Sequence, residues 1–168
     1  MSTAVVERNE HHASANEDER QYLTFELGDE FYGVNILKVQ EIKGYTDVTR
    51  IPNTPPYMKG VLNLRGTIVP IINLRMKFGM DQIDFTSFTV IVVVVVNERV
   101  MGMIVDSVSD VLTLGADDMK PAPALGTSVD TSFIDGIATT ADRLVTLLDI
   151  DRVLTEKELE QVESVTTE

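Results

Sequence analysis

Displaced by 69 positions, the chain overlies itself. Phe25-Glu26-Leu27-Gly28-Asp29-Glu30-Phe31-Tyr32-Gly33 falls on Val94-Val95-Val96-Asn97-Glu98-Arg99-Val100-Met101-Gly102. The match continues from Val34, Val39, Glu41 and Ile42 onto Met103, Val108, Asp110 and Val111, and from Pro52 onto Pro121. A displacement of 76 then brings Gly60-Val61 onto Gly136-Ile137, and Ile68-Val69-Pro70-Ile71-Ile72 onto Leu144-Val145-Thr146-Leu147-Leu148. The change of displacement places an insertion in the second half. Any two hairpins share an alternation, but here the order of features repeats as well as their type. The repeat implies two similar five-stranded units. Below about 70 residues a core is marginal alone, so such units gain by packing face to face. Their junction would leave a groove lined by aliphatic residues of both halves.

Between the ends the chain reads mostly as strand. Tyr22 to Leu27, a turn at Gly28-Asp29-Glu30, then Phe31 to Val34 is a hairpin pattern. Val90 to Val96, Asn97-Glu98, then Val100 to Val105 is a second. The seven β-branched residues of Val90–Val96 suit a pleated surface and predict a central strand of the second unit. Ile68 to Ile72 and Leu144 to Leu148 read as buried strands. Pro70 donates no backbone hydrogen bond and so belongs at an edge or a bulge. Gly33 and Gly102 sit mid-strand, where a barrel bends. Short helical turns are expected at 55–60 and at 74–79, the second closed by Gly79. Thr155 and Glu158 have capping-box spacing and start a short C-terminal helix with an apolar stripe of Leu154, Leu159 and Val162. Asp135-Gly136 reads as a turn.

Composition removes several kinds of chemistry. Of 168 residues none is cysteine, which excludes disulfides, thiolate nucleophiles and cysteine metal sites. The two histidines, His11 and His12, lie in a polar N-terminal stretch, so an imidazole-based triad or zinc site is not expected in the fold. The formal net charge is −13, which disfavours nucleic acid and anionic lipid as partners. Residues 1–20 carry five acids and two bases, and residues 155–168 five acids and one base, so 21–154 hold −6. Much of the acidity is therefore solvating tail. The longest apolar run has seven residues, whereas a spanning helix needs about 20. With no signal-peptide core at the start, a cytoplasmic protein is expected. Asp106, Asp110, Asp117 and Asp118 form an acidic series, but no phosphate-cradling glycine loop accompanies them, and Gly115 to Asp118 reads as a turn. No catalytic, cofactor or metal role is assigned to them.

Several segments resemble the CheW family of bacterial chemotaxis coupling proteins. They are Val39-Gln40-Glu41-Ile42, Arg50-Ile51-Pro52-Asn53-Thr54-Pro55, Lys59-Gly60-Val61-Leu62-Asn63-Leu64-Arg65-Gly66, Ile68 to Arg75 with Phe78-Gly79, and Gly102 to Val111. The Asn-Leu-Arg-Gly block, followed by an apolar strand and a basic turn, is the most specific. The resemblance implies an all-β fold of two five-stranded SH3-like β-barrels packed around a shared hydrophobic core, with short helices at turns and at the C-terminus. With residues 1–20 read as a flexible acidic tail for want of apolar periodicity, the chain divides into that tail, one domain over 21–155 and a C-terminal helix and tail over 151–168. The first barrel would span roughly 21–84 and the second roughly 85–150. The implied function is that of a non-catalytic adaptor without cofactors, coupling membrane chemoreceptors to the histidine kinase CheA. Implied partners are the kinase's regulatory domain, the cytoplasmic tips of the receptors and other copies in an array, at the inner face of the membrane without insertion into it. A related scaffold for another receptor–kinase system, such as surface motility, fits the same residues. A carboxylate hydrolase and a barrel for single-stranded nucleic acid fit them poorly.

The resemblance also nominates partner-binding residues. Glu41 and Arg65 would pair between strands and shape a receptor-facing surface; two ordinary exposed charges are the plain alternative. Val39 and Val108 each follow their glycine by six residues, and each fits either an exposed contact or barrel core. Gly60 flanks the Arg65 block, where positive φ or close backbone approach would require glycine. Ile36, Leu37 and Ile42 offer either an apolar interface patch or core.

Overall fold

The computed structural model describes residues 19–81, 84–121, 133–140 and 143–164. Its strands are β1 (Arg20–Leu27), β2 (Glu30–Asn35), β3 (Val39–Gly44), β4 (Met58–Leu64), β5 (Thr67–Asn73), β6 (Val90–Val96), β7 (Arg99–Val105), β8 (Ser107–Leu114), β9 (Met119–Lys120), β10 (Ile134–Thr140) and β11 (Arg143–Leu148). Helix α1 (Leu74–Lys77) follows β5, and α2 (Glu156–Ser164) follows β11. Both expected hairpins form, as β1–β2 and β6–β7. Most of the proposed N-terminal tail, with His11 and His12, lies outside the described residues, as does most of the span of the insertion. Arg20, assigned to that tail, already belongs to β1.

Two sheets result, in the orders β8-β1-β2-β11-β10-β9 and β3-β6-β7-β5-β4. They do not divide near residue 84. The first barrel takes β1 and β2 from the first half and β8 to β11 from the second; the other takes β3, β4 and β5 from the first and β6 and β7 from the second. Each repeat therefore lends its opening hairpin to the other. The valine run consequently lies not with the later strands but inside the barrel that holds β3, β4 and β5.

The exchange is made by two parallel seams. Gly33 of β2 lies beside Leu147 of β11, and Gly102 of β7 lies beside Ile71 of β5. These are equivalent pairs under the displacements of 69 and 76. At both seams the glycine admits a large aliphatic: a Cβ on Gly102 would sit 2.7 Å from Ile71 Cδ1 and 2.8 Å from Ile91 Cγ2, and one on Gly33 would sit 3.1 Å from Leu147 Cδ2.

Alternation along the strands sorts side chains into three cores. Ile91 and Val93 enter the interior of one barrel with Val69, Ile71 and Ile104. Val92, Val94 and Val96 turn to the opposite side and join Leu23, Phe25, Leu27, Val34, Met101 and Met103 in a core shared by both barrels. A third cluster, Tyr22, Leu114, Ala138, Val145 and Leu147, fills the other barrel. A strand buried on both faces has no polar side to show, which is why β6 reads as unbroken Val and Ile. In the shared core Tyr32 stacks on Phe25 at 5.9 Å and meets Phe78 at 5.7 Å, and Phe78 stacks on Phe133 at 5.1 Å.

Helix α2 starts as its capping box predicts. Thr155 Oγ1 accepts from the Glu158 N–H at 3.1 Å, and Glu158 Oε1 accepts from the Thr155 N–H at 2.8 Å. Leu159 and Val162 are buried in the shared core, and Lys77 Nζ donates to Glu158 Oε2 at 2.8 Å. Gly79, with φ 76°, follows α1 as expected.

Four local expectations change. Residues 55–60 are not a helical turn throughout: a single turn at 56–57, closed by the Met58 N–H donating to the Pro55 carbonyl at 3.0 Å, leads directly into β4 at Met58, because Val61 and its neighbours pair with β5. Pro70 is in an inner strand, but the ladder to β7 begins only at Ile71, and Val61 opposite it bonds through its own N–H and C=O to Thr49. The missing proline donor therefore breaks no ladder bond. Asp135-Gly136 is no turn but lies in β10, at a register shift opposite β11. One sheet also carries a sixth, two-residue strand, β9, where five were expected.

The seams carry a testable consequence. Gly102→Ala is expected to lower the unfolding free energy in urea by about 1–3 kcal/mol, the usual cost of overpacking a filled core. Adding Ile71→Val, which deletes the Cδ1 atom that collides, is expected to recover part of that loss.

Candidate functional site

The order β3-β6-β7-β5-β4 leaves β3 and β4 at opposite ends of the sheet. Closing the barrel requires links across that gap. The first is a bridge of Thr49 to Val61, with N–H···O bonds of 2.9 and 2.8 Å. Gly60 is what allows it: its φ is 156°, and a Cβ there would lie 2.3 Å from the Thr49 carbonyl oxygen. The second is an ion pair between Glu41 of β3 and Arg65 in the β4–β5 turn. Arg65 holds φ 51° and Gly66 φ 90°, the backbone of a two-residue type I′ hairpin turn. Asn63 Oδ1 accepts from the Gly66 N–H at 2.8 Å. The Glu41 carboxyl is held below its ordinary 4.5, chiefly by the hydrogen bond from Arg65. The sequence-nominated pair is thus brought together, with its guanidinium largely in solvent.

The other barrel repeats this construction. β9 pairs with β10 through Lys120 and Ile137, and Gly136 gives passage to the Lys120 carbonyl, 2.9 Å from a built Cβ. Asp110 of β8, equivalent to Glu41, accepts from Arg143 at the start of β11 at 3.0 Å. Arg143 also covers the Phe31 ring at 4.3 Å. Exposure follows the same symmetry. Ile42 and its equivalent Val111 are 43% and 47% exposed, and Ile68 and its equivalent Leu144 are 42% and 56% exposed. Each barrel therefore shows one carboxylate–arginine clasp and one matching pair of solvent-facing aliphatics.

The remaining nominated residues separate. Val39 and Val108 are both half-buried and pack against the shared core, as does Ile36. Leu37 projects into solvent from the 3-10 turn after β2, whose N-terminus Asn35 caps by accepting from the Leu37 N–H at 2.9 Å. The expected Ile36–Leu37–Ile42 patch is thus divided, because Ile36 turns inward. Gly60 serves backbone closure. Sequence reasoning missed Leu144 and Ile68, read as buried, and it left Asp110–Arg143 unpaired. The repeat itself held the signal: Asp110 overlies Glu41, and Leu144 overlies Ile68.

A cleft of about 500 Å³ opens at the junction of the barrels, lined by Glu26, Thr86, Phe88, Asp106, Val108 and Ser109. Its lining differs from the aliphatic groove expected: the carboxylates of Glu26 and Asp106 and the hydroxyls of Thr86 and Ser109 stand beside Phe88 and Val108. Phe88, which the sequence did not single out, is exposed at its rim.

Asp106 is held in a network of hydrogen bonds that joins three elements. Its carboxylate takes a forked bond from Arg75, with Nε–Oδ1 at 2.8 Å and Nη2–Oδ2 at 2.6 Å, and a third from the Gly28 N–H at 2.8 Å. The two side chains are only 12% and 23% exposed. The fork ties α1, the β1–β2 turn and the β7–β8 junction together. Burial alone would raise the Asp106 carboxyl, but the bonds from Arg75 and Gly28 outweigh it and hold it below its ordinary 3.8. Asp118 caps its own turn, accepting from the Gly115 N–H at 2.8 Å. Among the described residues no group of three or more acidic or histidine side chains is placed to hold a metal ion, and no helix is long and apolar enough to cross a membrane.

The CheW-like domain family model matches residues 21–158. The chain is 46% identical over 146 residues to the chemotaxis protein CheW of Klebsiella aerogenes, covering 87% of this chain and 88% of that protein. It is 38% identical over 147 residues to a probable chemotaxis protein CheW of Rhizobium etli, covering 88% and 95%. The crystal structure of the scaffolding protein TtCheW from Thermoanaerobacter tengcongensis matches with a TM-score of 0.75 at 31% identity, over 83% of this chain and 90% of that one.

Two kinds of acid–base pair should respond differently to mutation. Asp106→Asn is expected to cost about 1–3 kcal/mol at pH 7, the scale of charged hydrogen bonds in a partly buried site. Because the folded carboxyl titrates below its ordinary value, this contribution is present above pH 3.8 and is lost as pH falls through the lower folded value. The gap between wild type and Asp106→Asn in urea melts should therefore narrow between pH 5 and the acid limit. Arg65→Asn, which keeps a residue tolerant of positive φ in the turn, should leave the melts nearly unchanged.

Proposed function

The chain belongs to the CheW-like family, and from that membership we propose that it is a non-catalytic chemotaxis adaptor joining membrane chemoreceptors to the histidine kinase CheA. The observation that carries the reading is the duplicated exposed set, one per barrel, on two barrels fused by a common core. An adaptor must engage two partners at once, and doing so raises their effective concentration for each other. In this reading one barrel meets the kinase's regulatory domain and the other assists in seating the receptor tip. The junction cleft, with Phe88 and Val108 amid polar groups, offers the mixed apolar and polar lining that helix-in-groove binding uses. Recruitment to the inner face of the membrane then follows from the receptor and needs no insertion of this chain.

The test is capture of the CheA regulatory domain and of a receptor cytoplasmic fragment by purified protein, with circular dichroism confirming that each variant is folded. Wild type is expected to retain both partners. Glu41→Ala and Arg65→Asn should weaken one of them about tenfold or more, and Asp110→Asn should weaken the other. If wild type captured neither partner, the adaptor reading would fail. If the variants of both barrels lost the same partner, the division of labour would fail while the adaptor role stood.

A further inference from the structure

We propose that a second copy of this chain is itself a partner, bound by exchanging halves across the connector at residues 78–89. The inference rests on the strand pairings and is independent of the chemotaxis reading. The ladders β1 to β8, β2 to β11, β3 to β6 and β5 to β7 all run between the first half and the second. What each half keeps for itself is hairpins, β1–β2 and β4–β5 in the first and β6–β7 and β10–β11 with the short β9 in the second, together with the Thr49–Val61 bridge and one clasp each. Neither half closes a barrel, and the shared core draws on both.

The four ladders that join the hairpins into the two sheets are thus each a contact between one first half and one second half. The covalent tie between them is the connector that leaves α1 at Phe78 and enters β6 at Val90. Its twelve residues reach about 40 Å when extended. Nothing in the four ladders distinguishes a second half on the same chain from one on a neighbour. Two chains that cross their connectors would build the same four ladders and both seams twice, with Phe78 and Phe85 of the connector repacking. Exchange of this kind is a low-cost route to a dimer.

Mass action sets when it occurs. Halves on one chain meet at an effective concentration on the order of millimolar, so the monomer prevails in dilute solution. The exchanged pair grows as the protein concentration approaches that value. All four ladders must part before partners change, so folded monomers interconvert slowly and exchange is captured during folding.

The absence of cysteine from the sequence makes the test clean. Gln21 and Thr113 are directly opposed across the β1–β8 ladder, with Gln21 Nε2 donating to Thr113 Oγ1 at 3.4 Å. One full-length chain carries Gln21→Cys and another Thr113→Cys, so neither can close an internal disulfide. The two are co-refolded from urea at about 1 mM and oxidised. A covalent heterodimer well above the level seen when either variant is refolded alone is expected, and little should form when already folded monomers are mixed. The double variant on one chain shows that the geometry closes. The opposed pair Glu26→Cys and Ser107→Cys on the same ladder repeats the test if the first does not. Co-refolded mixtures that yield no more heterodimer than the single-variant controls, at a pair that closes within one chain, would overturn the proposal.

Discussion

Two parallel strand contacts carry this architecture: Gly33 beside Leu147, and Gly102 beside Ile71. At each, the lack of a side chain on one strand lets a large aliphatic on the other reach the barrel interior. Because the two strands at each seam come from different repeats, the same contacts that join the hairpins into each sheet also lock the halves together. The shared core follows directly. β1, β2, β6 and β7 lie inside their sheets and present one face to their own barrel and the other to the neighbouring barrel. A small repeat that would be marginal alone becomes half of a body with three cores, one of them shared by both barrels.

That body suits an adaptor. Its best-satisfied charges, Arg75 with Asp106 and Lys77 with Glu158, tie elements together. Its exposed features are aliphatic side chains and clasps at the barrel ends, duplicated by the repeat. A common core holds the barrels in one relation, so a partner on one is placed in a defined geometry toward a partner on the other. Coupling between sites needs such a connected body, although transmission of a signal needs in addition an element with two states.

Much of this was legible in the residues, and the limits are physical. The hairpins, the strand at 144–148, the capping box of Thr155 and Glu158 and the repeat itself are local patterns, and local patterns survive into the fold. The exchange of hairpins is not local. Alternation says that Val92 and Val93 face opposite ways but not whose core each enters, so the division near residue 84 followed sequence order where the chain crosses over. The pairing of Glu41 with Arg65 was legible through the family resemblance, and the two do meet. Ile68 and Leu144 were misread because an apolar strand start looks like core until its place at the rim is known. Asp110 and Arg143 are 33 residues apart, and only the equivalence of Asp110 with Glu41 pointed to that clasp.

The most direct measurement is kinase control in a reconstituted system. CheA and receptor in membrane vesicles would be assayed for kinase phosphorylation with and without this chain, and with and without the receptor's ligand. The account predicts that phosphorylation responds to the ligand only when the chain is present, because only then are receptor and kinase held together. Equal ligand control with the chain left out, or no effect of adding it at saturating concentration, would contradict the account.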